Sequence, residues 1–358
     1  MVEYKNQHYV PRFYLRNFSD DGQSIWLYNM QANREFTEPI SRVCARDYFY
    51  SEETDVEKAI GSIEGELSKG LGELLAIQSV SKLQTEKELK PDWLRVLQFL
   101  TFQEARTALS KEEVEQDGEM MFETFVKAGV EAGELDPTLL EEVKEGDVWL
   151  EHEQSPQLLP MLYQLHCAPL IADLWGTLLV NKTGTELVTS DHPVVRHNPY
   201  FLGEGHPEEI GLQSRGLQIY CPLTSHHYLL LHDSECYEVE CSPEGVREIH
   251  DTAIINELNR LQIVNCSNNV FYGTEGRQDE MDGLWEQLGE LADTNRDDRG
   301  MVRTEDGIGA YTHISAPRFC PELPFVENEP NIEYQRERVE GALEEQEKFW
   351  EEQFGDLV

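Results

Sequence analysis

The residues best suited to chemistry lie together near the N-terminus, in residues 7–18 with the sequence QHYVPRFYLRNF. This segment holds one histidine, two arginines and four aromatic residues, although the chain as a whole is strongly acidic. A histidine can transfer protons near neutral pH, and a guanidinium group binds carboxylates and phosphates through paired N–H donors. The segment therefore predicts either an anion-binding or catalytic corner, or a packing segment whose arginines bind internal carboxylates.

The spacing within this segment predicts a short helix with separate apolar and basic faces. Pro11 suits the first helical position, where no N–H is needed, and Tyr14 and Phe18 continue an apolar stripe at helical spacing. Arg12 and Arg16 lie four residues apart, so they project side by side on another face. Carboxylates of this chain, or a bound carboxylate or phosphate ligand, would separate their charges.

A second polar group follows a predicted strand. Ser190 and Asp191 stand at the end of that strand, where functional side chains are common, but the same residue types also cap turns. Consecutive residues of an extended segment point in opposite directions, so these two cannot form a catalytic triad with His192. A triad would have to recruit His8 from far along the chain.

A third group lies on a helix predicted over about 91–109. That helix is apolar nearly all round, which marks it as central, and Gln103 and Arg106 are polar exceptions on one face. Arg106 either holds a substrate anion or forms a buried ion pair with Glu64 or Asp191.

These groups combine into one hypothesis of a distributed site, without a metal and with its cofactor left unknown. His8 is the candidate acid or base, and other polar residues hold an anionic substrate or donate hydrogen bonds. The predicted catalytic residues are His8, Asp191 and Ser190, and the predicted substrate-binding residues are Arg12, Arg16, Gln103, Arg106 and Asn259.

Composition limits the class of protein. The 358 residues are 39% hydrophobic and carry a net charge of −40, with acids spread along the whole chain. This predicts an acidic protein from a halophilic source or, alternatively, a mesophilic protein with an acidic interaction surface. This charge argues against binding to nucleic acid. Seven cysteines without a CxxC pair predict reduced thiols in the cytoplasm. The most apolar stretch, 158–180, is interrupted by polar residues, so no membrane span is expected.

Hydrophobic periodicity predicts an α+β fold, with an antiparallel or mixed sheet flanked by a helical bundle-like layer and a charged C-terminal helix. The core domain is placed at 1–275, and 276–358 is an acidic extension containing a linker. Helices are expected at about 55–77, 91–109, 111–132, after 137, and at 155–166, 248–262 and 332–354. Strands are expected at 174–181 with 186–189 as a hairpin, and at 217–221, 228–231 and 270–272. Residues 293–309 read as mobile and 317–330 as a linker.

Six separated motifs resemble, in their order, the family known as domain of unknown function 4238. They are QHYVPRFYLRNF, IEGE at 63–66, QEART at 103–107, TSDHP at 189–193, CPLT at 221–224 and INELN at 255–259. The resemblance covers roughly 5–275 and implies an α+β domain, but it supplies no mechanism. His192 departs from the asparagine expected in many members.

Two functions follow as hypotheses. The first is a hydrolase-like enzyme acting on an anionic, phosphorylated or nucleotide substrate. The second is a non-catalytic sensor or adaptor, in which the polar cluster binds a ligand or holds the fold and the C-terminal helix binds a partner protein. An open cleft shared by His8, Arg106 and Asp191 would favour the first, and burial of all three in closed contacts would favour the second.

Overall fold

The computed structural model describes residues 5–85, 88–150, 155–201, 210–292, 297–304, 307–314, 319–328, 336 and 341–354. The helices in these ranges are α1 (Arg12–Leu15), α2 (Thr54–Ile77), α3 (Pro91–Ala105), α4 (Ala108–Glu131), α5 (Pro137–Glu145), α6 (Leu158–His166), α7 (Thr252–Asn265), α8 (Gln278–Ala292) and α9 (Ala342–Phe354). The strands are β1 (Asn6–His8), β2 (Ser24–Asn29), β3 (Arg34–Pro39), β4 (Ala45–Asp47), β5 (Gln84–Thr85), β6 (Glu88–Leu89), β7 (Trp175–Asn181), β8 (Thr189–Ser190), β9 (Val195–His197), β10 (Gln218–Thr224), β11 (His227–His232), β12 (Tyr237–Val239), β13 (Val246–Ile249), β14 (Asn269–Tyr272), β15 (Asp297–Thr304), β16 (Gly307–Ile314) and β17 (Val326–Asn328).

Two sheets organise the fold. The larger one has five strands in the order β13-β7-β11-β10-β9 and is antiparallel except where β13 runs parallel to β7. The smaller one has the order β3-β2-β14-β8. Helices pack beside these mostly antiparallel sheets, so the predicted α+β class is confirmed.

The centre of the larger sheet is buried on both faces. Leu229 and Leu231 of β11 join the core that includes α2 and α3, whereas Tyr228 and Leu230 join the core that includes α7. Side chains alternate between the two faces of a strand, so consecutive apolar residues fill two cores. This explains why β11 is an unbroken apolar run rather than an alternating one.

Helix α3 lies at the centre of the larger core, as its nearly uniform apolar surface predicts. Its Trp93 is fully buried against β7, where a Cβ atom added to Gly176 would come within 2.6 Å of the indole ring. The helix ends at Ala105, earlier than predicted, because Thr107 caps α4 by accepting a hydrogen bond from the Ser110 N–H.

Several predicted elements differ from the structure. The hairpin of 174–181 with 186–189 is wrong, because β7 pairs with β11 and β13 while β8 pairs with β14 in the other sheet. The helix expected from 248 begins at Thr252, and the residues before it form β13. The stretch read as mobile, 293–309, contains β15 and the first residues of its partner β16.

The described parts of the C-terminal extension contact the core. Strand β17, within the expected linker, pairs with β12. Arg336 is 97% buried and binds Asp173 through two nitrogens, at 2.8 and 2.6 Å. In α9, Gln346 donates to the His166 carbonyl at 3.0 Å. The division into two domains at residue 275 stays a prediction.

Two further observations bear on the protein's class. No helix in the ranges given above is long and apolar enough to cross a membrane. All seven cysteines are free thiols.

Candidate functional site

The separated motifs meet through the Tyr14 hydroxyl. This tyrosine of α1 is fully buried and lies 2.8 Å from the Thr189 hydroxyl, and it donates to the Pro222 carbonyl at 2.6 Å. Nearby, the Asn17 amide donates to the Leu223 carbonyl at 3.0 Å. The N-terminal motif is thereby joined to TSDHP and CPLT, so three segments distant in sequence form one hydrogen-bonded unit.

Gln7 fixes the start of the N-terminal motif. Its side-chain amide donates to the Ser51 carbonyl at 2.7 Å, and its oxygen accepts from the Tyr50 N–H at 2.7 Å. Gln7 is 99% buried, so these bonds form away from water. The residue acts as a backbone clamp between β1 and the chain leading into α2.

Gln103 and Arg106 connect the end of α3 to the same motif. Gln103 donates to the Tyr9 carbonyl at 3.1 Å. Arg106 is 99% buried; its Nη2 donates to the His8 carbonyl at 2.5 Å and lies 2.7 Å from a carboxylate oxygen of Glu64. Of the two ion pairs that the sequence leaves open for Arg106, the structure shows the one with Glu64.

Arg106 also has an unused donor. Its Nε donates to the Tyr50 hydroxyl at 3.2 Å, but its Nη1 is buried and has no hydrogen-bond partner among the described residues. The same holds for Oε2 of Glu57, which lies seven residues before Glu64 on α2. Burial, reinforced by the Glu64 charge, raises the pKa of Glu57 to about 7.

Asp191 forms hydrogen bonds with backbone N–H groups of the segment between α7 and β14. Its carboxylate accepts from the N–H groups of residues 267, 268 and 269 at 2.8–2.9 Å, immediately after α7. Burial raises the pKa of Asp191 to about 6, although these donors favour the charged form. The side chain is 96% buried. Asp191 therefore holds the α7–β14 turn.

Ser190 and Asn259 are equally engaged. Ser190 donates to the Gln262 side chain at 3.0 Å, and Gln262 in turn donates to the Pro193 carbonyl. Asn259 accepts from the Val188 N–H at 2.9 Å and donates to the Glu186 carbonyl at 3.0 Å. Both residues are at least 99% buried, and they fasten α7 to β8.

The basic face of the N-terminal motif is different, because it is open. Arg12 and Arg16 are exposed, and neither forms an ion pair with an acid in the described part of the chain. The expectation that internal carboxylates bind these arginines is therefore not met by the described residues. Two exposed arginines four residues apart, without a carboxylate partner among the described residues, are suited to an external anion.

His8 stands between this open face and the buried network. Its Nε2 lies 3.2 Å from the Ile40 carbonyl; because a carbonyl only accepts, Nε2 carries the proton and Nδ1 keeps its lone pair. Burial lowers the pKa of His8, and the positive charges of Arg12 and Arg106 lower it further, against the opposing effect of Glu64. The imidazole is therefore neutral at pH 7.

The charge distribution also singles out this region. Residues 1–50 contain six lysines and arginines and six acids, so they are neutral overall and the remaining 308 residues carry the whole net charge of −40. Residues 1–50 therefore repel an approaching anion less than the rest of the chain does on average.

The structure thus divides the predicted site in two. The charges of Arg12 and Arg106 act on His8, whereas the charge of Asp191 acts on Tyr9 and on Cys44 beside it. Sequence reasoning missed Gln7, Tyr50, Glu57 and Gln262. Only Glu57 left a signal, its seven-residue spacing from Glu64 on a predicted helix.

A pocket of about 630 Å3 has Tyr50 among its lining residues. It contains none of the predicted site residues, and it is lined by Tyr48, Phe49, Tyr50, Ser51, Glu52, Glu53, Lys111, Glu115, Ser155 and Pro156. Among the described residues, no three His, Cys, Asp or Glu side chains are grouped to hold a metal ion.

Fold and site together define an α+β protein in which QEART, TSDHP and CPLT bind the N-terminal motif, IEGE binds QEART, and INELN binds the chain at β8. Arg12 and Arg16 stay exposed beside this network. The chain belongs to the family described as protein of unknown function DUF4238, whose model matches residues 6–276. The suspected family is thereby confirmed. No curated protein and no solved structure matches the chain.

Proposed function

We propose that the protein binds a small anion, a carboxylate or phosphate compound, at a corner formed by His8, Arg12 and Arg16. The observation that carries the proposal is the pair of exposed arginines without an ion-pair partner in the described part of the chain. Arg34 and Arg42 of the same segment also form no ion pair with a described acid, but Arg12 and Arg16 lie four residues apart and the charge of Arg12 acts on His8.

The buried neighbours of this corner support a ligand-binding role. A buried polar atom without a hydrogen bond destabilises a fold by about 1–3 kcal/mol, and the cluster keeps three, on Gln103, Arg106 and Glu57. A cluster that only holds the fold gains nothing from them, and such atoms are expected where a site is adapted to a ligand.

Hydrolysis of the bound anion is the reaction that His8 fits. A neutral imidazole with a free Nδ1 lone pair can take a proton from water as that water attacks a phosphoryl or acyl centre. The leaving oxygen then takes up a proton, and Arg12 and Arg16 stabilise the negative charge that develops. In this scheme Ser190 and Asp191 hold the fold and do no chemistry.

The non-catalytic alternative rests on the other half of the predicted site. Arg106 and Asp191 are both at least 96% buried in paired contacts, as expected for a sensor or adaptor in which these residues hold the fold. Anion binding at His8 without hydrolysis would then be the protein's activity.

The test is a thermal-shift assay in high salt with inorganic phosphate, pyrophosphate, nucleotides and citrate. The test variant is Arg12→Gln with Arg16→Gln, and the matched control is Arg34→Gln with Arg42→Gln, which removes two exposed arginines from the same neutral segment. A ligand at 100 times its Kd stabilises the folded state by about 2.7 kcal/mol.

At least one anion is expected to raise the Tm of the wild type and of the control, but not that of the Arg12 and Arg16 variant. Equal loss in both variants, or no shift by any anion, would refute the proposal. Release of product from the bound compound, abolished by His8→Asn, separates the hydrolase from the sensor.

A further inference from the structure

Helix α6 exposes an apolar stripe, although the protein as a whole is rich in charged residues. Leu159, Leu162 and Tyr163 are 76%, 47% and 67% exposed, and they lie three and four residues apart on one face. No residue of α6 is charged, in a chain of which 27% is charged. An exposed apolar stripe of this kind marks an interaction surface.

The stripe continues to an acidic helix. His166 lies at the end of the same face, and its ring stacks on Trp350 of α9, with centroids 5.2 Å apart and planes within 8°. Helix α9 turns Ala342 and Gln346 toward the core and exposes Glu344, Glu347 and Glu351 at helical spacing, with Lys348 as one base among them. Two of these acids directly follow the α9 residues that contact His166.

We infer that the α6–α9 surface, formed by Leu159, Leu162, Tyr163 and the exposed acids of α9, binds a basic amphipathic helix of a partner protein. The stripe from Leu159 to His166 spans about 11 Å, two turns of a helix, which matches the apolar face of a short partner helix. The flanking carboxylates complement lysine or arginine residues beside that face.

The negative charge of the protein argues against two other binding partners for the α6–α9 surface, a second copy of the chain and an anionic lipid membrane. A second copy of this chain would bring two acidic α9 faces and two net charges of −40 together. An anionic lipid surface would be repelled in the same way. The surface shares no residue with the anion-binding corner, so the two proposals stand or fall separately.

The experiment measures binding of the full-length protein to a fluorescent synthetic helix with leucine on one face and lysine on the other. A scrambled peptide of the same composition and an amphipathic peptide with glutamate in place of lysine serve as ligand controls. The apolar test variant is Leu159→Gln with Tyr163→Gln, matched by Phe125→Gln, which removes a side chain that is 61% exposed on α4. The acidic test variant replaces Glu344, Glu347 and Glu351 by glutamine. Its control replaces three other exposed glutamates by glutamine, namely Glu275, Glu286 and Glu290.

The amphipathic basic peptide is expected to bind at least about tenfold more tightly than the scrambled and the acidic peptides. Each test variant should weaken binding about tenfold, and each control variant should leave Kd within about twofold. Circular dichroism checks that all variants fold.

Three results would overturn the inference. In the first, the scrambled peptide binds as tightly as the amphipathic basic peptide, which would mean that charge alone determines binding. In the second, the test variants bind the peptide like their controls, which would place the peptide elsewhere on the protein. In the third, no peptide binds. Sedimentation that shows a dimer lost in the Leu159 and Tyr163 variant would assign the surface to a second copy instead.

Discussion

Replacing Arg106 is the sharpest test of the buried network that holds the N-terminal motif. The guanidinium is 99% buried, lies 2.7 Å from Glu64 and donates to the His8 carbonyl at 2.5 Å. Arg106→Met keeps the apolar stem and removes both interactions. It also leaves the Glu64 carboxylate without its partner, 23% exposed to solvent.

The magnitude follows from the burial of each partner. Removing one member of a buried ion pair lowers the free energy of unfolding by about 3–5 kcal/mol. Because Glu64 regains some contact with water, Arg106→Met should fall at the lower end, about 3 kcal/mol. Glu64→Gln leaves a fully buried guanidinium charge unpaired, so its loss should be at least as large.

The double variant, Arg106→Met with Glu64→Gln, gives the decisive measurement, because it leaves neither charge unpaired. It should lose at least about 2 kcal/mol less than the sum of the two single variants. Urea denaturation in high salt, followed by circular dichroism, measures all four free energies. A control cycle on Lys58 and Asp55, an ion pair at 2.9 Å on α2 whose side chains are 56% and 92% exposed, should show a coupling of about 1 kcal/mol or less.

Losses that simply add in the Arg106 cycle would refute the reasoning. The same conclusion would follow if Arg106→Met lowered the free energy of unfolding by less than about 1 kcal/mol, since a buried, bonded guanidinium cannot be that dispensable.

Three further predictions concern other parts of the network. Asp191→Asn should lower the free energy of unfolding by about 2–3 kcal/mol in urea, because an amide oxygen cannot accept all the N–H groups of residues 267–269; equal stability would contradict this. Glu57 has a folded-state pKa near 7, above its usual value of 4.5, so the folded state binds its proton more tightly and stability falls as pH rises from about 4.5 through 7. Urea curves at several pH values should therefore show a flatter profile for Glu57→Gln, and an unchanged profile would be inconsistent with the burial of this carboxyl. Gly176→Ala should lower the free energy of unfolding by about 1–3 kcal/mol, because its Cβ would press on the Trp93 ring; a Tm equal to that of the wild type would show that the contact is not rigid.

Sequence reasoning succeeded where the signal is local. The apolar spacing on α2 gave its ends to within a residue, since one helix face is buried along its whole length. The strands predicted at 217–221 and 228–231 are present as β10 and β11, which pair with each other. In each case the residues that give the signal are close to one another in the chain.

It failed where pairing is decided at long range. Residues 174–181 and 186–189 look like a hairpin, but β8 is captured by β14 in another sheet, 80 residues further along. The pattern around Arg106 left two candidate carboxylates, Glu64 and Asp191, and only three-dimensional packing selects Glu64. Gln7 gave no signal, because its partners are backbone groups of residues 50 and 51.

The candidate site was predicted by residue type but not by exposure. Helical spacing placed Arg12 and Arg16 on one face, yet it could not show whether an acid of this chain faces them. Asp191 and Asn259 had the same chemical types as catalytic residues, although their bonds are to backbone groups. Burial separates the two sets, and burial depends on the whole fold.

The most direct test of the anion-binding corner is the pKa of His8 measured by NMR, with the imidazole signal assigned by comparison with His8→Asn. The positive charges of Arg12 and Arg106 help to lower this pKa, so a bound anion that neutralises them must raise it. Inorganic phosphate, or the tightest anion from the thermal-shift assay, is expected to raise the pKa of His8 in the wild type and in the Arg34 and Arg42 variant. It should have no effect when Arg12 and Arg16 are both glutamine. A pKa that does not move, or one that moves equally in both variants, would contradict an anion site at this corner.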